Sequence, residues 1–374
     1  MKRYGNLFKE IYDTANLQRA HLNAKKGKGW YKEVREIDSD PDRYLGDLQT
    51  IIKEHRYKTS EYEMFIKHEG GKDRKIYKLP YYPDRVAQWA ILQVIEPYIV
   101  KHLIADTYSA IPGRGIHKGL DRLKDAMWND PEECRYCLKI DARHYYQSVN
   151  HDILKQKYRR LFKDRELLEL LDEIIDSVNT ADDEDLVRIW LMEEDIDPNT
   201  GIPIGNYLSQ YSGNFYFSDF DHWVKEVKGV KHYFRYMDDI VIFGRTKESL
   251  YVLKNEVSKY FMTEMRLTIK NNWQIFPSYV RGIDYLGYRV FDGYTLLRKS
   301  TCIRMKKKLT AIRDKCESGH MMSYSEYCTV NSYRGWLKHC DSFRLARKYV
   351  DPLIPYADNY YNINIKSKKE GKTA

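Results

Sequence analysis

Apolar and polar positions along this chain switch repeatedly between strand-like and helix-like spacing. Glu63-Met64-Phe65-Ile66-Lys67 and Arg74-Lys75-Ile76-Tyr77-Lys78 flank Gly70-Gly71 and predict a hairpin rich in cations. From Pro83, the spacing of Val86, Trp89, Ala90, Leu92 and Val94 predicts an amphipathic helix with one buried face. Cys137-Leu138-Lys139-Ile140-Asp141 predicts a short buried strand that ends in an acid. Gly201-Ile202-Pro203-Ile204-Gly205 then leads into a helix through Leu208, Tyr211 and Phe215. Phe234 and the run Ile240-Val241-Ile242-Phe243 bracket a second hairpin with Asp238 and Asp239 at its tip. A helix is expected over 248–264, a turn between strands over 281–288, and helices over 294–374, broken near Gly319 and Pro352.

With 374 residues the chain has room for two or three packed subdomains and for an enzyme. Its net charge of +9 is uneven, because residues 164–198 hold 14 acidic and 2 basic side chains and leave +21 on the remainder. That acidic stretch predicts helix, loop, helix. Residues 1–30 carry seven basic and two acidic residues and end in the basic loop Ala24 to Trp30, and residues 294–374 carry 17 basic and 7 acidic ones. Such a field attracts phosphate backbones, and the 33 tyrosines offer stacking faces. For any single lysine a solvated helix face is the simpler account. Cys134 and Cys137 have metal-like spacing, but no second pair completes a zinc set. No run of 18 apolar residues and no apolar signal region follow the N-terminus, so no membrane span and a reducing cytoplasm are expected.

Adjacent acids are common in turns, but two carboxylates held together persist mainly where a cation offsets their charge. Asp141, about a hundred residues upstream at a strand end, adds a third. A strand end and a hairpin tip converging on a pair of Mg²⁺ ions would suit in-line nucleotidyl transfer, in which hard oxygen ligands hold the cations beside the attacking and leaving oxygens.

In this order the pieces resemble a reverse transcriptase from about residue 5 to 350. Tyr236-Met237-Asp238-Asp239 matches the family's Tyr-x-Asp-Asp box, Asp141 the acid ending its first palm strand, and Gly282 to Tyr288 its primer-grip turn. The resemblance implies an α+β right-hand polymerase fold with fingers, an antiparallel palm sheet and a helical thumb. Its expected parts are an N-terminal helix and fingers over 1–130, a palm over 131–290 with the acidic helical insertion at about 164–198, a thumb over 291–365, and a disordered basic tail over 366–374. It implies an RNA-directed DNA polymerase that copies an RNA template into cDNA with two Mg²⁺ ions, Mn²⁺ being an alternative.

By position, Asp141 and Asp238 would hold the metals, Asp239 would support them, and Ala142 would offer its carbonyl. Lys72 and Arg74 match residues that contact the incoming triphosphate, and Tyr146 matches the ring that excludes a 2′-hydroxyl by collision. Ile204 and Gln210 would sit near the templating base, and Arg114, Gly282, Tyr285 and Gly287 would contact nucleic acid. The chain departs from the family at His144, which stands where relatives have Lys, and at Ile111, which stands where an Arg is frequent. Lys270 is a candidate proton donor to pyrophosphate.

Ile202-Pro203-Ile204-Gly205-Asn206-Tyr207-Leu208-Ser209-Gln210 is most similar to the error-prone enzymes of diversity-generating retroelements, which misincorporate opposite template adenine. An apolar residue where relatives carry Gln would narrow the energetic gap between right and wrong bases. That branch works with a small, basic, helical accessory protein, for which the acidic insertion is a candidate dock. Anti-phage defence reverse transcriptases acting on a dedicated noncoding RNA carry similar boxes, and a non-catalytic RNA-binding scaffold is the rival from another class.

Overall fold

The computed structural model describes residues 3–69, 72–178 and 199–366. They form two compact units, each assembled from separate stretches of chain. The first comprises 1–115, 138–242 and 248–274, and the second 116–137, 243–247 and 275–374.

The first unit begins with helix α1 (Thr14–Ala24), capped by the Asp13 side chain, and α2 (Pro41–Lys53), capped by Asp40 with proline at its first position. Strands β1 (Glu63–Glu69) and β2 (Lys72–Lys78) pair antiparallel as the expected hairpin, with Lys67 opposite Arg74. The helix predicted from Pro83 starts later, as α3 (Val86–His102). Residues 81–85 form a wider turn in which Tyr82 has extended backbone angles, so proline precedes the helix rather than opening it. Helix α4 (Ile116–Asn129) belongs to the second unit.

Strand β3 (Tyr136–Asp141) ends at the expected acid, with Cys137, Leu138 and Ile140 buried. After it come α5 (His151–Leu161), capped by Asn150, and α6 (Arg165–Asp176), capped by Asp164. Helix α6 lies where the first helix of the acidic stretch was expected, and residues 179–198 of that stretch lie outside the described residues. Its apolar face, Leu167, Leu170, Leu171, Ile174 and Ile175, is buried, and α5 packs against it. Helix α7 (Tyr207–Tyr216) packs on α3, as α1 does. Strands β4 (Tyr233–Tyr236) and β5 (Asp239–Gly244) pair antiparallel, and β5 is buried from Ile240 to Phe243. Helix α8 (Lys247–Met265) follows, then β6 (Gln274–Pro277), and the sheet order is β4, β5, β3, β6.

In the second unit β7 (Ile283–Tyr285), β8 (Tyr288–Val290) and β9 (Thr295–Leu297) form an antiparallel meander. The basic segment therefore starts as a strand, and its helices begin later with α9 (Lys299–Glu317), α10 (Tyr324–Leu337) and α11 (Ile354–Tyr361). Helix α10 opens with a reciprocal capping box between Ser323 and Glu326. Lys366 closes a last helical turn, and 367–374 lie outside the described residues. No described helix is long and apolar enough to cross a membrane.

Candidate active site

Strands β4 and β5 pair Tyr236 with Asp239, which leaves Met237 and Asp238 as a two-residue turn. Met237 takes a left-handed conformation, φ +54°, an arrangement that costs energy for a side chain of this size. Arg235 holds it there. Its guanidinium donates to the Met237 carbonyl at 3.0 Å and to Asn214 Oδ1 at 3.1 Å. It also forks onto Asp221 at 2.7 and 2.6 Å, with both residues 0% exposed. Tyr233 and Thr107 add hydroxyl donors to the same carboxylate. A charge pair this deep must be fully hydrogen-bonded to repay its desolvation, and here it is.

The turn meets the end of β3. The Ala142 N–H donates to the Asp238 carbonyl at 3.4 Å, and the Asp141 and Asp238 carboxyl groups lie within hydrogen-bonding reach of each other. Burial, followed by the charge of Asp141 and that hydrogen bond, pushes Asp238 up to about 7. Two further cations line the site. Lys270 donates to Asp141 Oδ1 at 2.5 Å, and its backbone N–H donates to the Asp141 carbonyl at 2.9 Å. Lys139 lies 3.3 Å from Asp239.

The structure thus brings Asp141 and Asp238 together, while Asp239, the next residue along an extended strand, meets Lys139 instead. Among the described residues no group of three or more His, Cys, Asp and Glu side chains forms a ready metal-binding cluster. The donors nonetheless fit a hard divalent cation. They are two close carboxylates, one of them held reluctantly ionised by its surroundings.

The other expected residues are distributed as follows. The Tyr146 hydroxyl lies 3.8 Å from the Met237 sulfur, so its largely buried ring sits against the Asp238 turn. The carbonyl of Tyr146 accepts from Ile202 N–H, and the carbonyl of Ile204 accepts from Tyr77 N–H at 3.1 Å, joining this region to β2. Gly205 has φ +122°, and an added Cβ would stand 3.2 Å from the Tyr77 carbonyl, which explains a glycine there. Gln210 is half-buried on α7, Arg74 is exposed on β2, and Lys72 opens that strand. Arg114 donates to the Ile104 carbonyl at 2.8 Å, which commits part of its guanidinium internally.

In the second unit one expectation needs correction. Tyr285 is 0% exposed and belongs to the core, because alternation along β7 turns it inward, so its ring offers no direct contact to a nucleic acid. Gly282 and Gly287 also have internal reasons. A Cβ would meet the Phe291 ring at 2.7 Å from Gly282 and the Trp336 ring at 2.5 Å from Gly287. In α6, Glu173 pairs with Lys58, and Asp172 and Asp176 with Arg159 and Lys155, while Glu166 is hydrogen-bonded to His55, so much of the charge on this helix is met within its own unit.

Arg235, Asp221 and Lys139 were not anticipated as site residues. The available signal was an arginine inside an otherwise apolar strand pattern just before the two acids, a position where burial demands a partner.

Residues 66–290, more than half of the chain, match the family described as reverse transcriptase (RNA-dependent DNA polymerase), and the chain belongs to that family. Membership carries the right-hand polymerase fold, consistent with the mixed α+β architecture and its antiparallel hairpins. Among curated proteins the chain is similar to Protein YkfC of Escherichia coli K12, 24% identical over 254 residues. That match spans 68% of this chain and 57% of YkfC. Among solved structures it is similar to telomerase from Candida albicans in complex with a telomeric RNA fragment, at 10% identity and TM-score 0.49, covering 83% of this chain and 62% of that one. Apo telomerase from Candida tropicalis gives 12% identity and TM-score 0.47, with coverage of 88% and 63%. Both scores lie below 0.5, and the family assignment rests on the sequence match.

Proposed function

We propose that this protein is an RNA-directed DNA polymerase that extends a primer on an RNA template with deoxynucleotides. The observation that carries this reading is the meeting of Asp141 with Asp238, residues from distant stretches of chain, at a strand end and a hairpin tip. In this reading Asp141, Asp238 and the Ala142 carbonyl would hold two Mg²⁺ ions, with Asp239 contributing charge. Bound there, divalent metal supplies Lewis-acid stabilisation of the charge on reacting oxygens.

The remaining work is done by the chain itself. Arg235 keeps the turn from relaxing, so Asp238 is presented without reorganisation. Lys270 is positioned to give a proton or a compensating charge near Asp141. Tyr146, fixed against Met237, forms a wall that a 2′-hydroxyl would strike. Lys72 and Arg74 are assigned to the triphosphate, and Ile204 and Gln210 to the base pair being formed. We assign 1–130 to the fingers, 131–290 to the palm and 291–365 to the thumb.

Within the family we place the chain in the diversity-generating branch, on the apolar Ile204 before Gly205 and the Ser209-Gln210 pair. Asp238→Asn should abolish extension of a primed RNA while leaving RNA binding within a fewfold of wild type; retained extension would refute the polymerase reading. Sequencing RNA and cDNA that co-purify from the native host tests the branch. Changes concentrated at template adenines support it, and faithful or repetitive cDNA favours the defence reading.

A further inference from the structure

The hairpin β1–β2 is a sheet of two strands, and among the described residues β1 pairs with β2 alone. Its other edge is therefore open. On β2, Tyr77 gives its N–H to the Ile204 carbonyl at 3.1 Å, on the side away from β1. Tyr77 stands opposite Met64, so by the alternation of an antiparallel ladder Met64 and Ile66 turn their own N–H and C=O outward along the open edge. Such a row of groups is a template for another strand. Met64, Phe65 and Ile66 are 52%, 44% and 52% exposed. Neighbours on a strand point to opposite faces, so this apolar surface lies on both faces of the ribbon, and a strand added along the edge flanks both at once.

The charges choose the occupant. Glu63 and Lys67 bracket the three apolar residues, so the segment Glu63-Met64-Phe65-Ile66-Lys67 is complementary to its own reverse. Edges that guard against self-pairing carry charges of one sign, whereas here an acid and a base stand at mirrored places. Lys67 lies opposite Arg74 across the hairpin, a like-charge pairing that an acid on its other side would offset. Glu63 already accepts from Lys78 at 2.7 Å, but this pair is exposed, and a carboxylate accepts at both oxygens.

We propose that β1 pairs antiparallel with β1 of a second copy of this chain, about a two-fold axis at Phe65. Glu63 then meets the partner's Lys67, Met64 the partner's Ile66, and Phe65 the partner's Phe65. Met64 and Ile66 exchange main-chain hydrogen bonds across the axis. Sliding by two residues either way opposes Glu63 to Phe65 or to the far end of the strand, so the charges select one register. The contact uses no residue assigned above to metal, triphosphate or nucleic acid and does not depend on the polymerase reading.

Sedimentation velocity on the full chain, stripped of nucleic acid, tests this. A strand edge is a small interface, so the wild-type chain should dimerise with a dissociation constant in the micromolar range. Glu63→Lys and Lys67→Glu each turn two attractive pairs into two repulsive ones and should weaken association about 30-fold. Mixed one to one, the two variants complement each other and should associate as the wild type does, which misfolded chains would not do. The double variant, Glu63→Lys with Lys67→Glu, should recover dimerisation by itself. A wild-type chain that stays monomeric at about 100 μM would overturn the proposal and leave the edge to a strand of another protein. Dimers indifferent to both substitutions would overturn it too, since they use another surface, and so would single variants that fail to associate when mixed.

Discussion

Asp238 carries a penalty in the metal-free protein. Its folded-state value of about 7 lies above the 3.8 of an unperturbed aspartate. Stability is therefore fully present below pH 4 as far as this group is concerned, and it is lost as pH rises through 7. Thermal melts with a chelator should fall over that window, Mg²⁺ should restore them at pH 8, and Asp238→Asn should flatten the dependence. Arg235→Met leaves Asp221 buried and unpaired and should cost about 3–5 kcal/mol in urea melts. Arg235→Met combined with Asp221→Leu should recover most of that stability and yet extend primers slowly, because nothing then grips the Met237 carbonyl. Full activity in a stable double variant would reduce the pair to packing. The acids themselves were legible in the sequence because their chemistry dictates residue type at short local spacing. Their partners were not: Lys139 and Asp239 are 100 positions apart, and Lys270 and Asp141 are 129 apart, with no local rule linking them.

Among elements, the long periodic ones were readable and the short ones were not. Helices α7 and α8 and the β4–β5 hairpin lie where their patterns put them, since burial of one face or of a continuous apolar run is a local property. Strands β6 and β9, four and three residues long, escaped notice because their partners, not their composition, make them strands. The β7–β8 turn shows how little tolerance such elements have. Gly287, at φ +86°, faces the Trp336 ring on α10, so Gly287→Ala should cost about 1–3 kcal/mol from backbone strain, with steric conflict added. Faster amide exchange confined to 283–297 and 324–337 would locate the damage; unchanged exchange there would contradict the assigned contact.

Across the molecule, basic and acidic regions are separated along the chain, and the compact units are themselves discontinuous, a feature that no reading of sequence order reveals. If the positive surface contacts RNA as proposed, affinity should drop at least about a hundredfold between 50 and 200 mM salt. A shallow dependence would mean that few phosphates are touched. Lys270 and Lys139 bear on the life of the protein before it meets substrate. Each holds one acid of the proposed catalytic corner with its own ammonium, so a newly made chain can finish this region without waiting for a divalent ion. Chelation should accordingly silence the protein reversibly and leave it folded, an idle tool rather than a broken one.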